Sequence, residues 1–161
     1  MDIYDYAMKM EKDGESFYRE MIRNTNHSGI NNILTMLADA EVRHYNIFKK
    51  MKEGEDVNLT DTAIADNAKS IFAVIKKGGE FSNLNISHIE LYRKAQGFEE
   101  ETEKFYLGKA AEAKDESHKQ IFMKIAGEER RHYLILEDII DMVSMSKRWL
   151  ENPEWYHLDE Y

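Results

Sequence analysis

The chain has no cysteine, one proline, eight glycines and no long uncharged apolar run. Without cysteine there are no disulfides, thiolate nucleophiles, zinc ribbons or cysteine-ligated iron centres. A single proline in 161 residues, with Glu, Lys, Met, Ala and Leu frequent, favours long unbroken helices. A membrane-spanning helix needs about 20 predominantly apolar residues, and no window approaches that. Positive charge is also short: 22 Lys+Arg against 31 Asp+Glu leave a formal charge of −9. Nucleic acid and anionic membranes both select clustered Lys/Arg, so neither is an expected partner. The opening Met1-Asp2-Ile3-Tyr4 lacks the basic and apolar regions of a signal peptide, which makes a cytoplasmic location the expectation. At 42% hydrophobic residues, the composition is that of a folded domain rather than an acidic tail.

What the chain does have is helical periodicity. Residues 2–24 carry Ile3, Ala7, Met10, Phe17, Met21 and Ile22 at helical spacing, and residues 29–53 carry Ile30, Ile33, Leu34, Leu37, Phe48 and Met51. Residues 87–113 follow with Leu91, Ala95, Phe98, Phe105 and Ala110, and residues 116–143 with Ile121, Phe122, Ile125, Ile135, Leu136 and Ile139. Ser87 with Glu90 reads as a capping box, and Asp115 as the cap of the last helix. Breaks at Asn24–Gly29 and Lys114–Asp115 make two helical hairpins. The 54–86 connection, with a short helix over Ala63–Lys77, is long enough for a crossover between parallel helices. The expected architecture is an all-α four-helix bundle over residues 1–145. A tail, 146–161, carries the only proline and both tryptophans.

The apolar stripes are interrupted. The second stripe, extended at heptad spacing, reaches Glu41 and His44, and the last reaches Glu128/Glu129 and His132. Glu11 and Glu99 stand seven residues before Tyr18 and Tyr106, about two helical turns away on the same face. Each Glu-x-x-His pair occupies adjacent turns. Charges on a core face cost several kcal/mol unless paired.

These interruptions repeat in register. Glu11, Tyr18, Glu41 and His44 recur 88 residues later as Glu99, Tyr106, Glu129 and His132. Aligning residues 3–51 with 91–139 gives 13 identical pairs in 49, among them Tyr4/Tyr92, Ala7/Ala95, Arg43/Arg131 and Tyr45/Tyr133. The chain is a duplicated helical hairpin. Brought together, its halves deliver four carboxylates and two imidazoles to one point, the ligand set of a dinuclear carboxylate site. Oxygen-rich donors with one nitrogen per metal and no sulfur suit iron or manganese and disfavour Cu(I) and structural zinc. Tyr18 and Tyr106 are candidates either for core packing or for hydrogen bonds to those carboxylates. His27, His88 and His118, at helix ends, read as solvated side chains.

Glu11-x6-Tyr18, Glu41-x2-His44, Glu99-x6-Tyr106 and Glu129-x2-His132 on four helices resemble the ferritin-like superfamily, its rubrerythrin-like branch in particular. The resemblance covers roughly residues 2–143. It implies a ferritin-like bundle with a non-haem di-iron centre of two Fe ions, a Mn or mixed pair being the alternative. Glu11, Glu41, His44, Glu99, Glu129 and His132 would be the ligands, with Tyr18 and Tyr106 assisting. The implied chemistry is an oxidoreductase reaction with hydrogen peroxide or O2, often in a homodimer. Two departures stand out. Full-length rubrerythrins carry a cysteine-ligated rubredoxin-type domain, which a cysteine-free chain cannot contain, so an external donor such as rubredoxin would supply electrons. The usual extra carboxylate three residues after the third-helix ligand is Thr102 here, with Glu103 next to it, while Glu128 adjoins Glu129. The competing expectation is a non-catalytic iron-binding protein for storage, buffering or sensing.

Overall fold

The computed structural model describes residues 2–59, 62–78 and 89–144. These form five helices and no strand: α1 (Ile3–Arg23), α2 (Ser28–Lys52), α3 (Ile64–Gly78), α4 (Ile89–Glu112) and α5 (Glu116–Ser144). The molecule is therefore all-α, and the crossover helix appears within one residue of its expected start. Ser87 and the 146–161 tail lie outside the described residues.

Local chemistry explains the helix starts. Asp2 caps α1, its side chain accepting the Asp5 amide proton at 2.8 Å. Asp115 caps α5 by accepting from the amides of Ser117 and His118 at 2.8 and 3.3 Å. The equivalent position 88 residues earlier is His27, whose Nδ1 accepts from the Ile30 amide at 3.3 Å. His27 is thus a buried helix cap rather than the solvated side chain expected. Its ring supplies the acceptor that one of the four orphan amides at a helix start requires. His118 is half-buried and hydrogen-bonds Tyr4 Oη through Nδ1 at 2.9 Å. His88 lies outside the described residues.

The hydrophobic core is split in two. One cluster joins Tyr18 and Met21 of α1 to Ile30, Leu34 and Leu37 of α2, Tyr92 and Ala95 of α4, and Ile135 and Ile139 of α5, with Phe72 and Ile75 of α3 against it. The other joins Ala7, Phe48, Met51, Tyr106, Ala110, Phe122 and Ile125. Along α2 and α4 the chain passes from the first cluster to the second. Along α1 and α5 it passes from the second to the first. Helices α2 and α4 are therefore parallel, as the long crossover requires, and the gap between clusters lies at mid-bundle.

The inward stripes of α1 and α4 differ in phase from the apolar reading. The buried residues of α1 are Ala7, Glu11, Gly14, Tyr18 and Met21, and those of α4 include Ala95, Glu99, Thr102, Tyr106 and Ala110. Met10, Phe17, Phe98 and Phe105 are only half-buried. One residue is about 100° around a helix, so these apolar side chains flank the stripe while polar ones occupy its centre.

Candidate metal centre

The gap between the two apolar clusters is filled by polar side chains from all four bundle helices. Glu11 (α1), Glu41 and His44 (α2), Glu99 (α4), and Glu129 and His132 (α5) are each at most 2% exposed. Long, nearly gap-free helices place them: i,i+3 spacing puts Glu41 beside His44 and Glu129 beside His132, and the duplication turns the two sets toward each other. His44 and His132 lie nearly parallel, ring centroids 6.2 Å apart and planes 13° from coincidence.

Two overlapping donor groups result. Glu11, Glu41, His44 and Glu129 offer atoms within 4.8 Å of one another, and so do Glu41, Glu99, Glu129 and His132. Glu41 and Glu129 belong to both groups, while each histidine has one carboxylate of its own. His44 Nδ1 lies 3.0 Å from Glu129 Oε1 and 3.4 Å from Glu11 Oε2. His132 Nδ1 lies 3.5 Å from Glu99 Oε1 and 3.8 Å from Glu41 Oε1. All six sequence-predicted residues meet here.

Each of the six also presents one buried donor atom that makes no well-aligned hydrogen bond, the histidines and carboxylates only approaching one another at ion-pair distance: Glu11 Oε2, Glu41 Oε1, His44 Nδ1, Glu99 Oε2, Glu129 Oε1 and His132 Nδ1. Buried polar atoms are normally satisfied, and unsatisfied ones cost about 1–3 kcal/mol each, more for charged groups. A set of orphans from six residues, all oxygen or imidazole nitrogen, fits a pair of divalent cations. The donor chemistry suits iron or manganese.

Two of the remaining carboxylate oxygens are tied from behind by tyrosines. Tyr106 Oη donates to Glu11 Oε1 at 2.5 Å, and Tyr18 Oη donates to Glu99 Oε1. Each tyrosine therefore holds the glutamate of the opposite half, not the one seven residues before it. Both phenols are pushed well above their ordinary value by burial and by the adjoining carboxylates, so they remain protonated donors.

The electrostatics of these side chains report crowding. Burial, then repulsion among the carboxylates, raises Glu41 and Glu129 well above the carboxylate range. Burial also pushes Glu99 up to about 7. Glu11 is held low despite its burial because the charge of His44 faces it. His44 is correspondingly raised, burial being outweighed by Glu11, Glu128 and Glu129. His132 is lowered, chiefly by burial.

Residues beyond the six shape the centre. Glu128 belongs to neither donor group. It turns to His44 Nε2 at 3.3 Å and accepts from the Arg43 guanidinium. Glu103 is half-buried and likewise in neither group. The Thr102 hydroxyl stands 3.0 Å from Glu129 Oε2, where a hydroxyl replaces the extra carboxylate of the resemblance. Its counterpart in the first half is Gly14, where a Cβ would come within 2.7 Å of Glu41 Oε2. The sequence signal for Gly14 and Thr102 was their place midway in each Glu-x6-Tyr interval.

A rubrerythrin family model matches residues 2–140. No curated protein and no solved structure matches the chain. Among the described residues, no helix is long and apolar enough to cross a membrane. With that match extending over both hairpins and all four helices that carry the buried carboxylates, the chain belongs to the rubrerythrin family.

Proposed function

We propose that this protein is a non-haem di-iron oxidoreductase that acts on hydrogen peroxide or O2 with electrons from an external donor. The observation that carries the reading is the convergence of six buried donor atoms, one from each Glu and His of the duplicated motif, in two groups sharing two carboxylates.

In this reading Glu11 and His44 would hold one metal and Glu99 and His132 the other, Glu41 and Glu129 being common to both donor groups. Four carboxylates carry four negative charges against the four positive charges of two ferrous ions, so the loaded centre is neutral without help from Lys or Arg. When bound, two ferrous ions supply the two electrons that, with two protons, take peroxide to two water molecules. Tyr18 and Tyr106 act as positioning residues. Each clamps one oxygen of Glu99 or Glu11 and leaves the other facing inward. The apolar clusters on either side exclude bulk water from the centre, which strengthens every charge interaction inside it.

In this reading the electrons come from an external donor such as rubredoxin, since these 161 residues include no cysteine to ligate iron. A homodimer in the cytoplasm, taking only small oxidants and neither nucleic acid nor membrane, completes the proposal. Anaerobic protein loaded with Fe(II) and mixed with peroxide is the test. Ferrous-to-ferric absorbance change followed by repeated turnover with a reductant is expected. One stoichiometric oxidation and no turnover would instead support iron storage, buffering or sensing, and no absorbance change would overturn the catalytic reading.

A further inference from the structure

The duplication makes the centre nearly symmetric, but the two histidines differ in what stands behind them. His44 Nε2 is backed by Glu128 at 3.3 Å, and Glu128 is itself held by Arg43 from α2. The counterpart of Glu128, 88 residues earlier, is Ala40, whose methyl group can accept no hydrogen bond. Arg131, the counterpart of Arg43, therefore has no equivalent carboxylate to hold. His132 instead borders a cavity of about 220 Å³, which is walled by Thr62 ahead of α3, Asp66 in the first turn of α3, and Glu128, Arg131 and Ile135. One imidazole is fixed from behind by a carboxylate, while the other stands beside open space.

We propose that the two halves bind metal unequally, the Glu11/His44 half tightly through Glu128 and the Glu99/His132 half weakly and exchangeably beside the cavity. The inference rests on the dinuclear reading above. A carboxylate behind a ligand histidine fixes its tautomer and ring orientation and raises its basicity, and losing such a partner typically costs about 10- to 100-fold in metal affinity. Glu128 is thus a positioning residue that acts through His44. The cavity lies against His132, so the second metal would enter and leave there.

Metal-free protein titrated with Co(II), followed by its d–d absorption and by calorimetry, tests this. Two steps about 10- to 100-fold apart in Kd are expected, with the weaker ion removed first by chelator. His44→Ala should abolish the tight step and His132→Ala should spare it. Glu128→Ala should weaken the tight step about 10- to 100-fold with the circular dichroism unchanged, and Glu128→Gln, which keeps an acceptor, should weaken it less. Two indistinguishable steps, a tight step that survives in His44→Ala, or a tight step within twofold of normal in Glu128→Ala would overturn the inference while leaving the dinuclear reading intact. Failure to bind two Co(II) at all would overturn both.

Discussion

Glycine at position 14 ties packing to the metal centre in a way that one methyl group can probe. A Cβ built there stands 2.7 Å from Glu41 Oε2, 3.1 Å from Glu41 Cδ and 2.8 Å from Phe98 Cε1. Carbon and oxygen atoms do not approach so closely, so Gly14→Ala must displace either the carboxylate or the ring. Overpacking of this kind costs about 1–3 kcal/mol. Against it stands the ordinary gain of replacing glycine by alanine within a helix, about 0.8–1 kcal/mol. The net change in stability is therefore a loss of at most about 2 kcal/mol. The larger consequence falls on Glu41, whose flexible end yields more readily than the helix backbone and which serves both donor groups. Metal binding should weaken at both positions. Gly97 and Gly108 of α4 provide the control, because a Cβ at either meets nothing within 4 Å. Gly97→Ala and Gly108→Ala should each stabilise by about 0.5–1 kcal/mol and leave metal binding unchanged. Denaturant unfolding of the metal-free variants and a Co(II) titration of each give the two readouts. If Gly14→Ala stabilised as much as the α4 variants and bound metal normally, the placement of Glu41 against α1 would be wrong.

Further perturbations address the shell around the ligands and the charges within it. Tyr106→Phe and Tyr18→Phe each remove a buried hydrogen bond to a carboxylate, an interaction worth about 1.5–3 kcal/mol, and should lower stability by that order in chemical unfolding. Glu41→Ala should abolish loading of both metals by elemental analysis while the circular dichroism stays helical; unchanged metal content would refute its assignment. The metal-free protein should lose stability as pH rises from about the ordinary carboxyl value of 4.5 to about 7, where Glu99 titrates. Glu41, Glu99 and Glu129 bind protons more strongly folded than unfolded, so their contribution is complete below the unfolded value and is lost as pH climbs through the folded one. Thermal unfolding between pH 5 and 8 measures this, and an opposite slope would refute the crowding described. Metal must displace those protons, so loading at neutral pH should release protons and tighten as pH rises, which calorimetry in buffers of different ionisation enthalpy counts.

Much of this structure was legible in the sequence because the duplication is an independent reading of the same design. Glu-x-x-His is a common pattern alone, but its recurrence 88 residues on, with a Glu-x6-Tyr partner each time, identified the six residues that the fold brings together. The phase of α1 and α4 was harder to read. Apolar side chains ordinarily mark the inward stripe, whereas here Met10, Phe17, Phe98 and Phe105 flank a stripe made of Glu, Tyr and small residues. Tyr18 and Tyr106 share a helix face with Glu11 and Glu99, yet each hydroxyl reaches across to the other half. Spacing along one helix cannot report a contact between two. The role of His27 is hidden for a different reason: histidine is an uncommon helix cap, and only its alignment with Asp115 across the duplication hints at it. Glu128 stood out only as an extra acid beside Glu129, and its contact with His44 depends on how α5 packs against α2.

The central claim is that six side chains from a duplicated hairpin hold two metal ions between the two apolar clusters. Anomalous diffraction from an iron-loaded crystal, recorded above and below the iron absorption edge, tests it most directly. The account predicts two peaks, one between Glu11 and His44 and one between Glu99 and His132, with Glu41 and Glu129 contacting both. A single peak, or iron bound elsewhere while the six donor atoms remain without a partner, would contradict it.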